Sequence, residues 1–107
     1  MDSREPKEIT AAELAARMQG PDSPILIDVR EAPELASDGW IPGSVHMPMS
    51  TFQGREAELD RTRPIVVQCA SGMRSYDVGC YLLDNGFTDV SNLTGGIHAW
   101  TGPRERG

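Results

Sequence analysis

Cysteine is scarce in this chain: Cys69 and Cys80 are the only two among 107 residues. They do not form a C-x-x-C pair. The two histidines, His46 and His98, stand too far apart in sequence to read as a metal pair. A disulfide framework, a zinc site and a resident cofactor are therefore not expected. Basic charge is also short. Ten Lys and Arg stand against 16 Asp and Glu, which leaves a net charge of -6 and a pI near 4.7. Nucleic acid and anionic membrane surfaces both favour a basic partner, so neither is expected as a ligand. The apolar runs span only a few residues each, far below the roughly 20 of a membrane helix. Residues Met1-Asp2-Ser3-Arg4-Glu5-Pro6-Lys7-Glu8 contain no hydrophobic segment of the kind a signal peptide uses. Internal repeats and low-complexity tracts are missing as well. The expectation is a soluble, cytoplasmic, monomeric protein in a reducing compartment.

What is present is one domain's worth of alternating elements. Thr10-Ala11-Ala12-Glu13 reads as a capping box opening a short helix that Gly20-Pro21 stops. Pro24-Ile25-Leu26-Ile27-Asp28-Val29 and Ile65-Val66-Val67-Gln68 are apolar, β-branched runs of the kind found in parallel strands covered on both faces. Glu31 to Ala36 suits a short helix with Pro33 in its first turn, and Asp38 to Ser44 is a turn cluster. Val45-His46-Met47 suits a small strand, and Ser50 or Thr51 a helix start running to Leu59, weakened by Gly54. Tyr76 to Asn85 reads as a helix closed by Gly86 at C′ with Phe87 packed back over its end. Asp89 to Leu93 reads as the last strand, and Ile97 to Trp100 as a final helical turn. Residues 1–7 are expected to be flexible, 8–101 to form the domain, and 102–107 to be a flexible tail, with fraying from Thr101. Strands alternating with helices imply a three-layer α/β fold: a mainly parallel sheet with helices on both faces.

Chemistry concentrates in Cys69-Ala70-Ser71-Gly72-Met73-Arg74-Ser75. The segment lies between a predicted buried strand and a predicted helix. A thiolate there faces orphan amide N–H groups and the positive end of a helix dipole, which lowers its pKa. Gly72 frees the backbone for conformations that side chains forbid. Arg74 offers paired donors for an anionic substrate. A lone cysteine after a strand is also commonly a small buried apolar residue; the Gly, Arg and Ser around this one favour the reactive reading.

Four segments in order resemble the signatures of a single-domain rhodanese, a thiosulfate sulfurtransferase-like module. They are Leu26-Ile27-Asp28-Val29-Arg30-Glu31, Gly39-Trp40-Ile41-Pro42-Gly43-Ser44, Val66 to Cys69 through Arg74-Ser75, and Leu93-Thr94-Gly95-Gly96-Ile97-His98-Ala99-Trp100. The resemblance covers roughly residues 8–101. It implies a rhodanese-like fold and a persulfide relay, with Cys69 taking a sulfane sulfur from a small anionic donor such as thiosulfate or polysulfide. A thiol, a protein acceptor or cyanide would then remove it. The amides of Ala70, Ser71, Gly72, Met73, Arg74 and Ser75 would bind the substrate and the persulfide anion. Four residues separate Cys69 from Arg74, whereas the phosphatases and arsenate reductases that resemble this fold have five. That makes a Cys-dependent phosphatase or arsenate reductase the second reading, and a non-catalytic interaction module the third. Two departures from the family pattern stand out. The loop carries no basic side chain besides Arg74, which implies modest affinity for a dianion. Trp40 replaces a His common in the Gly-x-Ile-Pro-Gly motif, which implies altered packing at the rim.

Other residues have competing roles. Asp28 and Arg30 either tune the site or brace neighbouring loops as an ion pair, and bracing is preferred. Asp77 is expected to face solvent. Cys80 is either a resolving thiol or a buried small hydrophobe, the latter preferred. Gly79 suggests close packing of its helix on the sheet. Met47, Met49 and Phe52 form either an apolar lip or core, and His46 and His98 suit surface or rim positions.

Overall fold

The computed structural model describes residues 4–106. Five strands form one parallel sheet: β1 (Lys7–Ile9), β2 (Ile25–Asp28), β3 (Val45–His46), β4 (Ile65–Gln68) and β5 (Val90–Leu93), in the order β1-β5-β4-β2-β3. The α-helices are α1 (Ala11–Met18), α2 (Ala32–Asp38) and α3 (Met73–Asp84). Short 3-10 turns cover Met49–Thr51, Arg55–Glu58 and Gly96–Ala99.

Alternation along the central strands builds two cores. Ile27, Val29, Ile65, Val67, Cys69 and Val90 point to one face, where Val78 and Leu82 of α3 meet them with Met47, Phe52 and Phe87. Leu26, Val66 and Leu93 point to the other, against Leu14 of α1, Ile41, Ile97 and Trp100. Each fully buried Val, Leu or Ile contributes about 1.5–3 kcal/mol relative to exposure, so these strands anchor the domain. Every residue of β4 and β5 is buried. The expected three-layer α/β fold with a parallel sheet is the one observed. Chain direction fixes where chemistry can go: β2 leads outward to β3, and β4 leads the opposite way to β5. The strand order reverses between the carboxyl ends of β2 and β4, where open parallel sheets leave a crevice. Cys69 follows β4 at that point.

The capping box forms as read: the Glu13 amide donates to Thr10 Oγ1 at 3.1 Å and the Thr10 amide to Glu13 Oε1 at 2.8 Å. Gly86 takes φ +92°, and the Phe87 amide returns to the Leu82 carbonyl at 3.2 Å. Gly79 lets the chain entering β1 lie on α3, since a Cβ there would stand 2.9 Å from Pro6 Cγ and 3.6 Å from Val90 Cγ1.

Two expectations need correction, and both ends of the described chain contact the domain. Lys7 begins β1 opposite Ser91 and Pro6 is buried; residues 1–3 lie outside the described residues. Pairing with β5 stabilises an edge strand too short to announce itself. The helix expected from Ser50 or Thr51 to Leu59 is two 3-10 turns, interrupted where Gly54 adopts φ +95°. α3 begins at Met73, three residues before the expected Tyr76, because Gly72 at φ +105° ends the turn early. Residues of the C-terminal segment contact the domain. Trp40 and Glu105 exchange backbone hydrogen bonds at 2.9 and 2.8 Å, and Arg104 Nη2 donates to the Ile97 carbonyl at 2.8 Å. Gly107 lies outside the described residues.

Candidate active site

Cys69 leaves β4 with its side chain on the α3 face and is only 1% exposed. On the side of the 69–75 turn the sulfur meets hydrogen-bond donors. The Gly72 amide donates to Sγ at 3.2 Å, the Ser75 amide at 3.4 Å, and the Ser75 hydroxyl lies 3.3 Å away. Burial pushes the thiol pKa up, but the Ser75 hydroxyl and the amides of Ser75, Gly72 and Ser71 more than offset it, leaving the pKa below that of an ordinary thiol. The positive end of α3 acts in the same direction.

The amides point inward because the carbonyls are engaged outside. The Ile97 amide donates to the Cys69 carbonyl at 2.8 Å and the His98 amide to that of Ala70 at 3.1 Å. Asn92 Nδ2 holds the Gly72 carbonyl at 3.1 Å. Close approach of the 96–99 turn requires glycine: a Cβ on Gly96, at φ +61°, would stand 2.4 Å from the Ala70 oxygen and 2.5 Å from that of Cys69. The Ser75 hydroxyl is shared. Asn92 Oδ1 accepts from it at 2.5 Å, and Asn92 is oriented by donating Nδ2 to Glu8 Oε2 at 3.2 Å as well as to Gly72. A single O–H proton cannot serve Asn92 and Sγ together.

The second layer of the site is ionic. Asp28 and Arg30 are both fully buried, with Asp28 Oδ2 accepting from Arg30 Nη2 at 2.8 Å and Oδ1 from Arg30 Nε at 3.1 Å. Arg30 Nη2 also donates to the Gly39 carbonyl at 2.8 Å, tying the end of α2 to β2. This is bracing geometry. His46 Nε2 lies 2.6 Å from the Arg30 carbonyl, fastening β3 to the same brace. Arg74 does not point its fork at an open anion site: Nη1 and Nη2 donate to Glu34 Oε2 and Oε1 at 2.8 and 2.7 Å. The Arg74 hydrogen bonds hold the Glu34 carboxyl down at about 2, and the same pairing raises the guanidinium.

Rhodanese-like domains are the family whose model matches this chain, over residues 10–103. The chain belongs to that family. Among its relatives, a sulfurtransferase from Allochromatium vinosum is 38% identical over 87% of this chain and 86% of its own length. The thiosulfate sulfurtransferase GlpE of Pseudomonas syringae pv. syringae is 39% identical over 85% and 84%. A rhodanese-like domain protein from Staphylococcus aureus, a solved structure, superposes with a TM-score of 0.86 at 33% identity, covering 94% of this chain and 98% of that one.

In this rhodanese-like domain the segment 69–75 gathers around one sulfur, though unequally. Ser71, Gly72 and Ser75 supply donors; Ala70 supplies a carbonyl tie. Met73 is 77% exposed, at the first position of α3. Asp77 faces solvent. Cys80 is half-buried rather than buried, and burial raises its pKa, which makes it a poor resolving nucleophile. Met47 and Phe52 are core, whereas Met49 reaches the surface at 37% exposure. Reading the sequence missed Glu34, Asn92, Glu8 and Gly96. Gly95-Gly96 was visible as a turn; the contacts of the other three span 17 to 84 residues and leave no local signal.

Two outcomes follow from this geometry. In a Cys80→Ser background, the ultraviolet thiolate absorbance of Cys69 should titrate below the ordinary thiol range, and Ser75→Ala should move the midpoint upward by removing the largest of the lowering hydrogen bonds; an unmoved midpoint would remove Ser75 from the account. Gly96→Ala should lower the unfolding free energy by about 2–4 kcal/mol through positive-φ strain and overpacking, read as a shifted denaturant midpoint at constant slope.

Proposed function

We propose that this chain is a sulfurtransferase that moves a sulfane sulfur through a persulfide on Cys69. The observation that carries the reading is the convergence of the Gly72 amide, the Ser75 amide and the Ser75 hydroxyl on Cys69 Sγ. A purely structural cysteine needs no such set of donors.

With thiosulfate as donor, the Cys69 thiolate attacks the outer sulfur. A new bond forms between Sγ and that sulfur, the old S–S bond breaks, and its electron pair leaves with sulfite. The enzyme then carries Cys69-S-S⁻. The added sulfur lies one S–S bond, about 2 Å, beyond Sγ, where the amides of the turn offer it the preorganised dipoles that served the thiolate. An acceptor thiolate attacks the outer sulfur, becomes a persulfide itself, and returns the Cys69 thiolate. Cyanide takes the same sulfur as thiocyanate. Each half-step exchanges one anion for another, so no general base has to be supplied.

Phosphatase or arsenate reductase chemistry fits less well. Four residues between Cys69 and Arg74 make a small cradle, and the guanidinium that would clamp a tetrahedral oxyanion is paired with Glu34. An interaction module without catalysis would have no use for a lowered thiol pKa. The cytoplasm, where thiols stay reduced, suits a free nucleophilic sulfur, and we take the working form as a monomer with a thiol or protein acceptor.

Incubation with thiosulfate or polysulfide should raise the intact mass by one sulfur atom, and cyanide should return it to the starting value. Cys69→Ser should abolish the gain while Cys80→Ser keeps it. A gain retained by the Cys69 variant would place the sulfur elsewhere and end this reading.

A further inference from the structure

We propose that Glu34 is a specificity-determining residue that sets the donor class: by occupying both Nη donors of Arg74, it turns the site toward sulfane donors of low negative charge and away from dianions. The inference rests on the sulfurtransferase reading above and adds the substrate class.

The Arg74–Glu34 pair is built. Each Nη of Arg74 has its own carboxylate oxygen, at 2.8 and 2.7 Å, an end-on bidentate arrangement that sets a full negative charge against the guanidinium. Glu34 is anchored from behind as well, since the Glu31 amide donates to Oε2 at 2.8 Å. The Glu31 carboxylate is held in turn by the Ser50 hydroxyl at 2.7 Å and the Ser50 amide at 3.1 Å. Neither carboxylate is free to swing aside. Among the described residues of the loop, Ala70, Ser71 and Met73 are neutral, and Arg30 is fully buried on Asp28 and Gly39. A donor approaching Cys69 therefore meets a neutralised guanidinium flanked by acidic side chains. Coulomb energy scales with the product of charges, so a dianion feels twice the repulsion of a monoanion from the same carboxylate.

Thiosulfate and methanethiosulfonate separate the charge from the chemistry. Both present a terminal sulfane sulfur on a sulfonyl sulfur; the first is a dianion and releases sulfite, the second a monoanion and releases methanesulfinate, each departing with the electron pair of the broken S–S bond. The experiment measures kcat and KM for both donors by thiocyanate formation with cyanide. In the wild type the monoanion should be used more efficiently. Glu34→Gln should raise kcat/KM for thiosulfate about tenfold, mostly through KM, and that for methanethiosulfonate no more than about twofold. Adding Arg74→Leu to Glu34→Gln should remove the gain, and Glu34→Asp, which keeps the charge, should retain the wild-type preference. A fall in thiosulfate use in Glu34→Gln, or an equal change for both donors, overturns the proposal. Should Glu34→Gln fail to fold, the wild type still decides. Added salt should raise thiosulfate efficiency relative to methanethiosulfonate by screening the acidic rim, and a relative fall would show that net attraction governs entry. Failure of both donors to load Cys69 by mass would instead strike the sulfurtransferase reading itself.

Discussion

The site depends on one constraint: the turn after β4 must present its N–H groups to a sulfur atom and its carbonyls to the rest of the protein. Backbone amides and carbonyls alternate, so a turn cannot aim donors inward unless something outside accepts the burden of the acceptors. Here the Ile97 and His98 amides and the Asn92 side chain hold the carbonyls of Cys69, Ala70 and Gly72. The 3-10 turn over Gly96–Ala99 is thus part of the site, through the amides that hold the Cys69 and Ala70 carbonyls. Gly96 is its critical residue because the two backbones touch there.

Around this turn the fold arranges charge in shells of decreasing burial. Asp28 and Arg30, fully enclosed, join β2 to the end of α2 through the Gly39 carbonyl. A buried pair of this kind gains little net stability over apolar packing, but losing one partner is costly, which suits a brace. Farther out, Arg74 and Glu34 are each about one-third exposed and pair with one another. The Cys69 sulfur is therefore held mainly by dipoles and a hydroxyl, and the guanidinium of the loop is paired with Glu34 rather than left as an open clamp.

Much of this was legible in the sequence for physical reasons. Strands buried on both faces must be continuous apolar runs, so β2 and β4 announce themselves, and Cys69 follows from β4 because parallel sheets gather function at their carboxyl ends. Capping at Thr10 and closure at Gly86 are local and were equally visible. What escaped is non-local. β1 exists only because β5 pairs with it, and two of its three residues are exposed. The tail is held by Trp40, far away in sequence. Arg74 read as an anion clamp because its partner Glu34 lies 40 residues away on α2, and Asn92 read as an ordinary strand residue because its side-chain bonds depend on the register between β1 and β5. The start of α3 was misplaced for a related reason: the residues that look like a loop motif are also the first helical turn, which is what points the Ser75 amide at the sulfur.

The central claim is that the amides of this turn bind the ionised sulfur of Cys69. The most direct measurement is the pH dependence of the backbone amide proton shifts by NMR. The account predicts that Gly72 and Ser75 move downfield together as Cys69 ionises, with one common midpoint below the ordinary thiol range, and that neither moves in Cys69→Ser. Amide shifts that stay flat through the thiol's titration, or that follow a midpoint at or above that of a free thiol, would contradict it.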